Sequence, residues 1–171
     1  MNFENLLALD ARISKQMRVA ESPGMLRTIA AFFAHSGDSW FCIAVLALVW
    51  WRGTPIWNWR ATILIIAIII TAVIVLVMKF AIRRQRPEGD WGEIYRTTDP
   101  HSFPSGHATR AFMLATMAVG LGPIWFAIAL SIWAPLVAIA RVAMGVHYVS
   151  DVVAGLGIGV FMGIVIQLVL L

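Results

Sequence analysis

Apolar residues run along this chain in long blocks rather than in short alternations. Ala61–Met78 is 18 residues without a charge, Ala111–Ala140 is 30 and Val152–Leu171 is 20. A membrane-crossing helix needs about 20 mostly apolar residues. The first and third blocks each fit one such helix. The second is too long for one and is broken by Gly120-Leu121-Gly122-Pro123, the glycine-then-proline order that closes one helix and opens the next. Two helices are therefore expected there, at about 105–121 and 123–143. A shorter run, Ser39–Trp51, follows Ser36-Gly37-Asp38, where Asp38 or Ser39 suits a helix N-cap.

Residues before this run follow another pattern. Phe3, Leu6, Leu7, Ile13, Met17 and Ala20 share one helical face, with Arg12, Lys15 and Arg18 off it. That is the signature of an amphipathic helix lying at a membrane surface. Asp10 sits within the apolar stripe, and a salt bridge to an arginine would account for it. A turn at Ser22-Pro23-Gly24 leads into a second short helix over residues 25–35. The expected architecture is an all-α integral membrane bundle with about five transmembrane helices. It forms one domain over 1–171, an amphipathic helical hairpin at 1–36 followed by the bundle at 37–171. No cleavable signal peptide is expected, since Glu4 and Asp10 interrupt the start.

Composition agrees. Sixty per cent of the residues are hydrophobic and 13% charged, too apolar for a soluble chain of this length. The single cysteine, Cys42, excludes an internal disulfide or a cysteine-cluster metal site. Net charge is +4, but the basic residues are few and set among apolar spans. A membrane surface or an anionic substrate fits them better than nucleic acid does. Trp50, Trp51, Trp57, Trp59 and Trp125 all fall at one predicted interface, as aromatic belts do; Trp133 lies mid-span.

The opposite interface collects the costly residues: Lys79, Arg83, Arg84, Arg86, His107, Arg110, Arg141, His147 and Asp151. Ionisable groups at membrane depth cost about 2.5–3.5 kcal/mol each at mid-helix, so their convergence from four helices points to function. Lys79, Arg83 and Arg86 are spaced i, i+4, i+7, one face of a helix that Pro87 would end. They read either as snorkelling cations or as an anion site. Pro104-Ser105-Gly106-His107 opens a helix whose unpaired N–H groups and dipole suit an anion; a plain serine cap is the alternative. His147 and Asp151, i and i+4 in the first turn of the last helix, suit a carboxylate-oriented imidazole, a structural pair, or a zinc pair. The neighbouring arginines argue against a cation there. Together these groups select a highly charged oxyanion such as phosphate, with one histidine to attack phosphorus and another to move protons.

At these residues the sequence resembles the type 2 phosphatidic acid phosphatase superfamily, whose soluble relatives include the vanadium haloperoxidases. Its first motif is a lysine, six residues and Arg-Pro, here Lys79 to Arg86-Pro87. The second is Pro-Ser-Gly-His, here Pro104 to His107. The third is Ser-Arg, five residues, His, three residues and Asp, here Ala140-Arg141, His147 and Asp151. Ala140 departs from the usual serine. The resemblance implies metal-independent dephosphorylation of a membrane lipid phosphate or diphosphate, with no cofactor, and makes the bundle at 37–171 the catalytic part. His147 would be the nucleophile, Asp151 its orienting partner and His107 the general acid and base. Lys79, Arg86, Ser105, Gly106 and Arg141 would hold phosphate. Arg83 and Arg110 are second-tier candidates by placement alone, and His35 and His101 are expected to be structural. Tyr148 and Trp91 are expected beside the lipid path. A non-catalytic protein that binds or translocates anionic lipid is the rival reading.

The expected location is a cell membrane, inner or plasma. Arg12, Lys15, Arg18, Arg27, Arg83, Arg84 and Arg96 on the motif face outnumber Arg52 and Arg60 on the other, which by the positive-inside rule favours a cytoplasmic site. Many bacterial members of the family act instead on the outer leaflet. The substrates the family allows include phosphatidic acid, phosphatidylglycerol phosphate, polyprenyl mono- or diphosphates and phosphorylated lipid A.

Overall fold

The computed structural model describes residues 3–89 and 99–170. Seven helices account for nearly all of them: α1 Phe3–Gln16, α2 Met25–Ser36, α3 Ser39–Arg52, α4 Pro55–Ile82, α5 Gly106–Leu121, α6 Ile124–Ala143 and α7 Val149–Leu170. The apolar blocks of the sequence correspond to α3–α7. Among the described residues α4, α6 and α7 are each long and apolar enough to cross a membrane alone, and α2 with α3, bent by 61°, passes as a fourth span. At 16 residues, α5 is about 24 Å long, short of a full span. Its sides are covered by α4, α6 and α7, so most of it is buried.

The seam between α5 and α7 sets the spacing of the bundle. Gly155, Gly159 and Gly163 lie four residues apart on one face of α7. A Cβ on Gly155 would stand 2.8 Å from the Ser105 carbonyl oxygen, and one on Gly159 would collide with that of Thr109. Small residues at such contacts let two membrane helices approach backbone to backbone. This contact brings the start of α5 against the start of α7, where the Ser105 amide donates to the Asp151 carbonyl oxygen at 3.0 Å.

Alternating helix directions put the ends of α4 and α6 and the starts of α3, α5 and α7 at one end of the bundle. At the other end Trp57 and Trp125 meet with centroids 6.0 Å apart, as the tryptophan pattern predicts. Helix α1 turns Leu6, Leu7 and Ile13 outward and Asp10 and Ser14 inward. The Ser14 hydroxyl accepts from the Val149 amide at 2.9 Å, and Asp10 accepts from the Ser150 amide at 3.1 Å. This fits an interfacial helix with its apolar face toward lipid and its polar groups satisfied by the protein. The helix ends at Gln16, so Ala20 lies beyond it, buried, with its amide bonded to the Ala143 carbonyl.

Candidate active site

Helix α4 does not continue to Pro87. It ends at Ile82 because Arg83 adopts a left-handed conformation, φ 53° and ψ 36°. The expected single face for Lys79, Arg83 and Arg86 therefore does not form. Arg83 lies at the bundle surface, and its Nε donates to the Phe80 carbonyl at 2.9 Å. Arg86 reaches the site along an extended segment, in which the Ser102 amide donates to the Arg84 carbonyl at 2.8 Å beside a bridge between Gln85 and His101.

Arg86 is buried, and its Nη1 donates to the Val146 carbonyl at 2.9 Å and lies 3.3 Å from His147 Nε2. The other imidazole nitrogen, Nδ1, faces Asp151 Oδ2 at 3.4 Å. His147 precedes the first residue of α7, Val149, rather than lying within its first turn. Gly145 makes this possible, since its φ of 69° turns the chain and a Cβ there would collide with the Glu21 carboxylate. Asp151 Oδ2 also accepts from the Tyr148 amide at 2.9 Å. Burial first, and the charges of Arg86 and Arg141 with it, pushes the His147 imidazole down to about 3, against the pull of Asp151.

Lys79 and Arg86 converge on Asp99. The lysine ammonium donates to Asp99 Oδ2 and, at 3.1 Å, to the His101 carbonyl; Arg86 Nη2 reaches the same Oδ2 at 2.8 Å. A carboxylate oxygen thus occupies the point between the two cations. No motif marks Asp99, and the sequence alone does not single it out. Ser105 Oγ makes no cap bond and, among the described residues, is buried without a hydrogen-bond partner. Arg141 is fully buried and lies within electrostatic reach of Lys79, His107 and His147 alike.

Helix α5 supplies His107 and Arg110, and both hold the bend between α2 and α3. His107 Nε2 lies 2.6 Å from Asp38 Oδ1. Arg110 donates to the Gly37 carbonyl from Nε at 2.9 Å and to Ser39 Oγ at 2.6 Å. Asp38 is the N-cap residue of α3 but makes no capping bond; its carboxylate serves His107 instead. Trp133, mid-span in α6, donates to Ser36 Oγ at 2.9 Å at the same bend. His35 bonds Asp38 at 3.2 Å and His101 packs on Phe80.

Asp10 is explained by Arg84, the salt bridge the sequence calls for. Arg84 Nη2 meets Asp10 at 2.7 Å and Nη1 meets Asp151 Oδ1 at 2.6 Å, with Tyr148 stacked on the guanidinium at 4.0 Å. Partial burial opposes the charge on Arg84, but the two carboxylates outweigh it and hold the group above the ordinary arginine range. Tyr148 thus belongs to this cluster; Trp91 and Arg96 lie outside the described residues.

A cleft of about 510 Å³ is lined by Asp38, Lys79, Asp99, His107 and Arg110, while His147, Arg86 and Arg141 do not line it. Trp40, Val75, Leu76 and Phe80 from α3 and α4 contribute its apolar wall. Among the described residues no three His, Cys, Asp or Glu side chains gather as a metal site requires.

Residues 60–170 match the PAP2 superfamily. The chain belongs to that superfamily. Its relatives include the decaprenylphosphoryl-5-phosphoribose phosphatase of Mycobacterium tuberculosis, 30% identical over 91% of this chain and 86% of that one. The lipid A 1-phosphatase of Rhizobium etli is 26% identical over 91% and 74%. Two solved structures share the fold. One is the PAP2 type phosphatidylglycerolphosphate phosphatase from Bacillus subtilis, with TM-score 0.74 and 23% identity, covering 95% of this chain and 85% of that one. The other is LpxE from Aquifex aeolicus, with TM-score 0.70 and 24% identity, covering 90% and 93%. The long apolar helices make this a membrane protein.

Proposed function

We propose that this PAP2 protein hydrolyses a membrane lipid phosphate or diphosphate through a phosphohistidine on His147, without a metal ion. That it is a lipid phosphatase follows from its family and from relatives named for that activity. The observation that carries the finer reading is the environment of His147. Asp151 faces Nδ1, which leaves the Nε2 lone pair beside the Arg86 guanidinium. A neutral, buried imidazole flanked by cations attracts a phosphoryl group and attacks it.

In the first step Nε2 of His147 bonds to phosphorus and the bond to the lipid oxygen breaks. His107 gives that oxygen its proton. Lys79, Arg86, Arg141, Ser105 Oγ and the α5 N-terminus, with Gly106 leaving the backbone open, neutralise the equatorial oxygens. In the second step water attacks phosphorus and passes a proton to His107. The phosphorus–nitrogen bond breaks, leaving inorganic phosphate and free His147. One water is consumed, and the lipid alcohol and phosphate are the products. Asp99 holds the cations until phosphate displaces it.

The apolar wall of α3 and α4 supports a lipid approaching sideways, its phosphate at headgroup depth. The relatives are named for decaprenylphosphoryl-5-phosphoribose and for lipid A, so a bacterial envelope lipid in the inner membrane is the substrate class we favour. The test is phosphate release from a lipid panel in detergent, with and without EDTA, for wild type and His147→Ala. Wild type turns over with EDTA present and traps an acid-labile, base-stable radiolabelled intermediate. Turnover by His147→Ala would overturn the assignment.

A further inference from the structure

We propose that Asp38, at the bend between α2 and α3, is a positioning residue that fixes the ring orientation and tautomer of His107. The inference rests on His107 acting as the general acid and base.

The geometry is specific. The 2.6 Å contact between Asp38 Oδ1 and His107 Nε2 joins residues 69 apart in sequence. It engages Nε2, so Nδ1 is the nitrogen left to exchange a proton with the leaving oxygen. The bend that carries Asp38 is held at three points by two side chains. Arg110 clamps the Gly37 carbonyl and the Ser39 hydroxyl, and Trp133 binds Ser36 Oγ. Gly37 packs so closely that a Cβ would stand 2.7 Å from Val137 and 3.3 Å from the His107 ring. Asp38 and His107 both line the cleft that Lys79 and Asp99 also line. A helix break leaves backbone groups to be satisfied elsewhere, and here the break also presents one carboxylate to one imidazole. The site then contains two histidine–carboxylate pairs, His147 with Asp151 and His107 with Asp38.

The charged and titratable groups acting on His107 are Asp38, Arg110 and Arg141; those facing Asp38 are His107, His35, Arg110 and Cys42. Asp38 is therefore the carboxylate that offsets two arginines when His107 carries its proton.

The test compares wild type, Asp38→Asn, His107→Ala and the double variant on a phosphorylated lipid and on p-nitrophenyl phosphate. General acid catalysis is worth about 10²–10⁴-fold, and losing its positioning should lower kcat on the lipid by about tenfold to a hundredfold, with KM little changed. The alkaline limb of kcat should move to lower pH, because the protonated imidazole loses its counter-charge. The loss should shrink on p-nitrophenyl phosphate, whose leaving group needs no proton. The double variant should be no slower than His107→Ala. Should Asp38→Asn fail to fold, Asp38→Ser takes its place with the same measurements. An unchanged pH profile, or additive losses in the double variant, would overturn the proposal. If His107→Ala keeps wild-type turnover, the general acid reading fails instead, and the two failures are told apart.

Discussion

Arg84 binds Asp151 at 2.6 Å through Oδ1, while His147 faces Oδ2 of the same carboxylate. The carboxylate behind the proposed nucleophile is thus fixed from its far side by a cation that stands in the spacer of the first motif and is not one of its defining residues. That cation is in turn held by Asp10 on the interfacial helix. Arg84→Gln should lower kcat about tenfold or more, since one misplaced orienting group costs on that order, with KM nearly constant. Steady-state kinetics on the lipid substrate measure both.

Asp10→Asn removes the other end of the same chain of contacts. It should lower kcat less than Arg84→Gln does, and combining the two should add little, because both act through Asp151. Fully additive losses would separate α1 from the active site.

Asp99→Asn should make inorganic phosphate a stronger inhibitor, by about tenfold, or 1.4 kcal/mol, because the charged acceptor between Lys79 and Arg86 is gone. Inhibition curves against the lipid substrate report this directly. An unchanged inhibition constant would mean that Asp99 does not compete for the cations.

Acid should destabilise the protein partly through His147. Its imidazole is held near 3 when folded and titrates at about 6.5 when unfolded. The stability from keeping it neutral is complete above that unfolded value and is lost as the pH falls toward the folded one. The drop in Tm between about pH 7 and pH 4.5 should be about 5 °C smaller in His147→Ala than in wild type.

Gly159→Ala should lower Tm by about 3–10 °C, as overpacking of a fixed contact does. The new methyl meets backbone of α5 rather than a side chain that can swing away. Gly157→Ala, on the same helix with nothing within 4 Å, is the control and should leave Tm unchanged.

Much of this architecture is readable in the chain. The apolar blocks predict α4, α6 and α7 because long uncharged runs have one solution in lipid. The three motifs come together because each stands at a helix end and the helices alternate in direction. What escapes a reading of the chain is set by tertiary contact. The left-handed turn at Arg83 ends α4 before the stop that Pro87 suggests, and no local pattern announces it. Asp38 reads as a helix cap because its partner is 69 residues away. Arg84 reads as one more interfacial cation, since neither Asp10 nor Asp151 stands near it in sequence. Asp99 precedes the second motif without belonging to it.

The bend between α2 and α3 lies outside the stretch that matches the superfamily, residues 60–170, and so does Asp10. A fragment starting at α4 would keep every motif residue yet lose the carboxylates that brace His107 and Arg84. On the proposed mechanism the motif residues are thus only part of what the reaction needs, and the first third of the polypeptide supplies groups that set its rate.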